Sequence, residues 1–272
     1  MTFRRFPLYF LGLLFTALLP AGLLAQEGVL KSDQPTGITS DQIIQKFAAK
    51  EKEFRDVWER YTYRETVKVE EVDGGEFQLV TDITFNNDGK RIQSVVFAPQ
   101  PTLSRISMSK EDYDDIQNNM PFSLTSDDLA KYQIMYVGQQ KEDELNTFVF
   151  DVAPKQMVKG QRYFQGRIWV DDRDYQIVKT HGKMVPDVRN KNNENLFPAF
   201  TTYREEIDGQ YWFPTYTSAN DTLHFSTGDV PIKIVVKYAN YKRFGSDVKI
   251  SYEGKEVENS GKQPNAPNKP KQ

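Results

Sequence analysis

The sequence predicts a mainly β (α+β) fold with about ten or eleven antiparallel strands, an N-terminal helix and a short helical insertion. Two observations predict it. Apolar and polar side chains alternate in run after run between residues 61 and 252, as in strands that bury one face. Tight turns rich in Gly, Asp and Asn separate many of these runs, so neighbouring strands should pair as an antiparallel meander. We expect one domain over residues 39–252.

The first 25 residues predict export from the cytoplasm. Arg4 and Arg5 precede an apolar core and a small-residue end, which are the three parts of a signal peptide. We expect cleavage after Ala25 and a periplasmic protein. The alternative is an N-terminal membrane anchor, because residues 6–25 approach the length of a membrane span.

A linker and an amphipathic helix are expected next. Residues 26–38 are polar and aperiodic, which indicates a linker. Thr39 then provides an N-cap, and Gln42 completes a capping box. The apolar residues that follow at helical spacing form a single stripe, which should lie on an apolar surface. They are Ile43, Ile44, Phe47, Phe54 and Trp58.

Three strands and then an irregular segment follow the helix. Residues 61–69, 77–85 and 91–97 alternate and are separated by Gly-containing turns, which predicts the first part of the meander. The pattern breaks at residues 104–129, called the insertion below, where Ser109 and Thr125 can cap short helical turns. Its apolar residues are the lid candidates Met120, Phe122 and Leu124. The alternative is that they close a static core.

Strands are expected to resume after the insertion. Their predicted ranges are 132–137, 147–152, 163–170, 175–184, 201–207, 211–217, 222–225 and 232–243, with a last short strand at 248–252. Residues 186–198 should form a polar loop, and residues 253–272 a disordered tail.

The hairpin at residues 164–183 has the clearest strand pattern. Phe164, Ile168 and Val170 share one face, and an acidic turn at residues 171–174 joins the two strands. Short carboxylate side chains in such turns bond nearby backbone amides. We therefore interpret the acidic cluster as turn-stabilising, and not as a calcium or catalytic site.

Composition argues against several functions. A net charge of −3 does not suit a nucleic-acid partner, and the lack of cysteine removes disulfides and thiolate chemistry. His181 and His224 have no neighbouring ligands at metal-binding spacing, and no phosphate loop or nucleophile elbow occurs. We expect no metal, no cofactor, no catalytic residue and no enzyme activity. The rival hypothesis of an envelope hydrolase requires carboxylates that converge in a pocket.

Two segments resemble a known family. A capped helix leads into a Tyr-rich strand over residues 39–69, and residues 166–179 read Gly-x-Ile-Trp-Val-Asp-x-x-x-Tyr-x-Ile-Val-Lys. Together they resemble the outer-membrane lipoprotein-sorting family, which has the Lol-carrier-like fold. The resemblance implies a curved antiparallel half-barrel with helices over its concave side. It also implies that acyl chains bind in the cavity between the sheet and the helices. Carriers of this family use an arginine on a strand; Arg64 is a candidate for this position, but we assign it no role.

The apolar strand faces supply the ligand-site candidates under this hypothesis. They are Val67, Leu79, Ile83, Phe148, Phe150, Ile168, Val170 and Ile234. The expected protein is a monomeric, non-catalytic carrier or sensor for a lipid or lipoprotein acyl chain, with an envelope membrane protein as a further partner class. The alternative is an envelope protein–protein interaction module with a filled core. A ligand-sized cavity beneath the insertion would favour the carrier, and a filled core would favour the interaction module.

Overall fold

A computed structural model describes residues 27–244, apart from residues 87, 191, 192 and 196. The α-helices and strands are α1 (Ser40–Trp58), β1 (Tyr61–Glu71), β2 (Glu76–Phe85), β3 (Arg91–Phe97), α2 (Lys110–Asp114), β4 (Tyr132–Glu142), β5 (Leu145–Pro154), β6 (Tyr163–Asp171), β7 (Ile177–Val185), β8 (Val188–Asn190), β9 (Asn193–Asn195), β10 (Phe200–Ile207), β11 (Tyr211–Phe225) and β12 (Gly228–Arg243). A π-helix (Asp115–Asn119) continues α2, and a 3₁₀ helix (Leu129–Lys131) precedes β4. The chain is mostly β, with an open, curved antiparallel sheet, which confirms the predicted fold class.

Ten strands form one sheet in the order β3-β2-β1-β12-β11-β10-β7-β6-β5-β4. Neighbours in sequence are neighbours in space almost throughout, as a meander requires. There are two exceptions: β7 pairs with β10, which follows it after the small β8–β9 hairpin, and β1 pairs with β12, which joins the two halves of the sheet. As a result β3 and β4 lie at opposite edges, and the chain that connects them must cross the sheet. The insertion lies in this connection.

Helix α1 covers the same face of the sheet as the insertion. Its capping box is present as predicted: Gln42 N–H donates to Thr39 Oγ1 over 3.2 Å, and the Gln42 side chain accepts from Thr39 N–H over 3.0 Å. Ile43, Phe47 and Phe54 are almost fully buried. The predicted stripe is therefore the face that packs on the sheet.

The curvature of the sheet follows from what it encloses. Ten flat strands would be about 40 Å wide at a spacing of about 4.8 Å, whereas a helix with its side chains is about 10–12 Å across. A single buried cluster nevertheless contains Phe77 of β2, Phe47 of α1 and Phe150 of β5. The sheet must therefore curl around α1 and the insertion.

Several predicted boundaries were wrong. Strands expected at residues 211–217 and 222–225 form one continuous strand, β11. Residues 186–198 were expected to be a loop but contain the small hairpin β8–β9. The strand expected to begin at Tyr175 begins at Ile177, because Tyr175 has a φ of 59° and belongs to the turn. Residues 248–252 lie outside the described part of the chain.

The N-terminal residues of the described chain lie along the edge strand β4. Gly28 N–H donates to Lys141 O over 2.7 Å, and Lys31 and Gln139 exchange two backbone hydrogen bonds of 2.8 Å. Glu27 also forms an ion pair of 2.5 Å with the buried Lys179. This part of the linker therefore covers one edge of the sheet. Among the described residues, no helix has the length and apolarity needed to span a membrane.

Candidate ligand site beneath the insertion

The structure brings the predicted sheet residues and lid candidates into one apolar cluster. Seven of the sheet candidates are at most 7% exposed, and Leu79 packs against the cluster from a half-buried position. The seven are Val67, Ile83, Phe148, Phe150, Ile168, Val170 and Ile234. Met120 and Leu124 are fully buried, and Phe122 is 9% exposed. That these residues bind a ligand stays a prediction.

The lid candidates fill the space between α1 and the sheet. The ring of Phe122 stacks on that of Phe164 with a centroid distance of 4.2 Å and an angle of 17°. The apolar cavity left beside Ile116, Ile232 and Ile234 has a volume of about 50 Å³. Ligand pockets usually measure about 300–1,000 Å³. With the insertion in this position the apolar site is therefore occupied by the chain itself.

Arg204 of β10 joins the sheet, α1 and the insertion. Its guanidinium donates to both carboxylate oxygens of Glu51 over 2.9 and 3.1 Å, and to the Phe122 carbonyl over 2.5 Å. The Arg204 and Glu51 side chains are 2% and 0% exposed. A buried guanidinium needs such partners, because an unpaired buried charge is strongly destabilising. The insertion carbonyl is therefore part of a buried ionic network.

Glu71, at the end of β1, holds the beginning of the insertion. The three N–H groups of residues 104–106 donate to its carboxylate over 2.6 to 3.0 Å. Burial of the carboxyl opposes ionisation, but these N–H groups outweigh it and lower the pKa of Glu71 to about 2. The ionised carboxylate thus fixes the backbone where the chain enters the insertion.

Replacing Glu71 by glutamine should lower the free energy of unfolding at neutral pH by about 1–3 kcal/mol. Because the folded-state pKa is lowered, the stabilisation is present above the unfolded-state value of about 4.3 and is lost as pH falls towards 2. Urea denaturation of both proteins from pH 7 to pH 2.5 measures this. The stability difference should shrink below about pH 4; a difference that stays constant over that range would contradict the assigned role.

Asp115 holds the middle of the insertion. Its carboxylate, 1% exposed, accepts from Arg162 Nε over 3.1 Å and from Arg162 Nη2 over 2.5 Å. Arg162 also donates to the Pro186 carbonyl. It precedes β6, so this ion pair links the insertion to the sheet at a third place.

Arg64, the candidate strand arginine, does not contact the insertion. It occupies one of the half-exposed positions of β1, on the strand face opposite to that of Val67. There it forms an ion pair with Asp82 over 2.8 Å. Arg204, by contrast, donates to the insertion from the inner face of the sheet. Arg64 therefore has a surface position without contact to the candidate site.

The acidic turn supports the hairpin, as the sequence predicted. Asp171 accepts from the N–H groups of Arg173 and Asp174, each over 3.2 Å. Asp174 accepts from Trp212 Nε1 over 2.9 Å. His181 is exposed and stands 2.9 Å from Thr201 Oγ1. In the described ranges no group of three or more metal-ligating side chains is assembled.

The double replacement Asp171→Asn with Asp174→Asn should lower stability by about 1–3 kcal/mol without changing ligand affinity. The reason is that the hydrogen bonds of these carboxylates go to the turn itself, to Gln176 and to Trp212, which all lie outside the insertion. Thermal unfolding and ligand titration of the same variant measure both effects. A loss of affinity at full folding would instead support a functional acidic site.

Sequence reasoning missed the buried charges that fix the insertion. Glu51 falls on the apolar stripe of α1, four residues after Phe47, and this position was a usable signal. Arg204 and Glu71 likewise share the inner-facing parity of their strands with Thr202 and Val69. Charged residues at core positions of an otherwise consistent pattern indicate buried ion pairs.

Comparisons with known proteins bear on the fold. No protein-family model matches the chain, and no curated protein matches it in sequence. Among solved structures the chain is similar to the LolA superfamily protein NE2245 from Nitrosomonas europaea, with 14% identity and a TM-score of 0.35, covering 76% of this chain and 94% of that one. It is also similar to MucB, with 11% identity and a TM-score of 0.27, covering 73% and 92%.

A third similar structure is the Pseudomonas aeruginosa MucA/MucB complex, with 10% identity and a TM-score of 0.21, covering 71% of this chain and 96% of that one. At these identities and TM-scores the likeness carries no argument about what this chain does. It does not show membership of a lipoprotein-sorting family, and no cargo or partner is carried over from it.

Proposed function

We propose that this protein is a periplasmic, non-catalytic carrier or sensor that binds a lipid or lipoprotein acyl chain beneath the insertion. The observation that supports the proposal is the way the inner face of the sheet is covered. An apolar surface formed by many strands is closed by Met120, Phe122 and Leu124, which belong to a largely irregular segment. This segment is held at defined polar anchors, so it can leave without dismantling the sheet.

The side chains of the lid candidates match an acyl chain in size. Together Met120, Phe122 and Leu124 present about 15 non-hydrogen side-chain atoms, close to the length of a common fatty acid chain. Each buried methylene contributes about 0.8 kcal/mol, and each large apolar side chain about 1.5–3 kcal/mol. A long acyl chain can therefore offset the exposure of these three residues. In the proposed exchange, cargo takes the place of the insertion.

Binding of a fluorescent fatty acid to the purified protein tests the proposal. We expect saturable binding with one chain per protein, and co-purifying lipid in native mass spectra of material isolated from the periplasm. A saturated chain of about 16 carbons should bind more tightly than one of about 8, because affinity follows the buried methylenes. Absence of binding at either length, together with lipid-free native spectra, would overturn the proposal.

A second candidate function is an interaction module with a permanently filled core. Two observations favour it: the apolar cavity is only about 50 Å³, and the edge strand β3 exposes apolar side chains. Val95 and Phe97 of β3 are 65% and 52% exposed. An extended, uncharged partner segment could add to this edge as a further strand.

Lysine substitutions on the edge strand separate the two functions. Val95→Lys with Phe97→Lys should leave acyl-chain binding unchanged if the carrier proposal is right, because β3 lies at the sheet edge and both side chains are more than half exposed, outside the buried cluster. If the envelope function of the protein in cells depends on these two residues while the purified protein binds no lipid, the interaction module is the better account.

A further inference from the structure

A polar cavity of about 310 Å³ lies beside the insertion, where α1 ends and β4 and β6 begin. Its volume falls within the usual range for a bound small molecule. Phe122 and Phe164, which stack on each other, form part of its wall. Because Phe122 is also a lid candidate, this cavity adjoins the apolar site beneath the insertion.

Cations predominate in the lining of this cavity. Arg55, Lys131 and Arg162 line it, against the single carboxylate of Asp128. Asp128 accepts from both Arg55 and Lys131, over 3.2 and 2.9 Å, so one carboxylate serves two cations. The local charge is therefore positive even though each cation has a partner.

Two of these cations keep donors available for a ligand. A guanidinium carries five N–H donors and an ammonium three, and one carboxylate cannot accept all of them. The side chains of Arg55 and Lys131 are 45% and 56% exposed, so they can turn towards a bound anion. Arg162 is largely buried against Asp115, whose carboxylate offsets its charge, so the excess positive charge of the cavity comes from Arg55 and Lys131 with their single carboxylate. Phosphate and carboxylate are the groups that such a set of donors binds.

We infer that this cavity receives the phosphate or carboxylate head group of the amphipathic lipid whose chain replaces Phe122 and its neighbours. The inference rests on the proposed function and adds the ligand class to it: an anionic lipid, with its head between Arg55 and Lys131. In the free protein the stacked ring of Phe122 separates this cavity from the apolar cluster, so a chain that displaces the ring passes directly from the head-group cavity into the cluster.

The test compares three probes by calorimetric titration below the micelle concentration: dodecyl phosphate, dodecanol and inorganic phosphate. The variant Arg55→Gln with Lys131→Gln removes two cavity cations whose own side chains are 45% and 56% exposed. Asp128 keeps the hydrogen bond from the Thr125 hydroxyl, and urea denaturation of the variant checks that it stays folded. The matched control, Arg64→Gln with Lys110→Gln, removes the same charge outside the cavity lining, from Arg64 at 41% exposure and Lys110 at 86%.

We expect the unmodified protein to bind dodecyl phosphate at least tenfold more tightly than dodecanol. The cavity variant should lose that preference, and the control should keep it. Equal affinity for the two alkyl probes, or an unchanged preference in the cavity variant, would overturn the head-group site and leave the acyl-chain proposal standing. Binding of inorganic phosphate without binding of either alkyl probe, or binding of none of them, would overturn both.

Discussion

Replacing Arg204 by methionine is expected to lower the free energy of unfolding by about 3–5 kcal/mol. The substitution leaves the Glu51 carboxylate, 0% exposed, without its cation and removes the donor to the Phe122 carbonyl. Both groups would then be buried without a partner, which is the costly situation for polar atoms. A loss of this size is a large fraction of the roughly 5–15 kcal/mol that stabilises an ordinary domain.

A double-mutant cycle in urea measures the coupling between these two side chains. Glu51→Leu alone should be about as destabilising as Arg204→Met, because each leaves one buried charge unpaired. The double variant should recover much of the loss, since two apolar side chains of similar volume replace the pair. Additive losses in the double variant would contradict the buried ion pair. The Arg64→Gln substitution, in a half-exposed pair, should cost less than about 1 kcal/mol.

Truncation of Leu124 to alanine should have opposite effects on stability and on ligand binding. Leu124 is fully buried in the main cluster, so the change should cost about 2–5 kcal/mol. Much of that loss falls on the contacts that hold the insertion against the sheet. A ligand then needs less free energy to displace the insertion. Acyl-chain affinity should therefore rise while the unfolding free energy falls.

Val149→Ala is the control for this experiment. Val149 is also fully buried, but it belongs to a separate cluster with Trp169 and Val178. Its truncation should lower stability and leave acyl-chain affinity unchanged. Urea denaturation and fluorescent fatty-acid titration of both variants provide the two readouts. If Leu124→Ala weakens binding, the insertion contributes to the site in some way other than by occupying it.

Local signals made much of the fold predictable. The capping box and apolar stripe of α1 were readable because they depend on residues three or four apart. Alternation located most strands because it depends on residues only two apart. The continuity of β11 was missed because Asn220 and Asp221 are typical turn residues, yet pairing with β12 holds them extended. Neighbouring strands therefore overrode a local preference.

Contacts between residues far apart in the chain could not be predicted from the sequence. The pairing of β1 with β12 and the crossing of the insertion depend on residues far apart in the chain. Membership of the apolar site was nevertheless predictable, since inner-face parity alone selected residues such as Phe150 and Ile168. The anchors Glu71 and Arg204 have the same inner-face parity and were overlooked, whereas the identity of their partners depends on tertiary distances that the sequence does not show.

The exposure of a single thiol in the insertion tests the central claim, that cargo displaces the lid candidates. The chain has no cysteine, so Leu124→Cys introduces one unique reactive group at a fully buried position. Phe47→Cys, on the equally buried face of α1, reports on general loosening of the core. Maleimide labelling is followed with and without a saturating fatty acid. We expect protection of both thiols in the free protein, and fast labelling of the Leu124→Cys thiol alone once the fatty acid is bound. Continued protection of that thiol in the fatty-acid complex would show that the insertion stays in place when cargo binds.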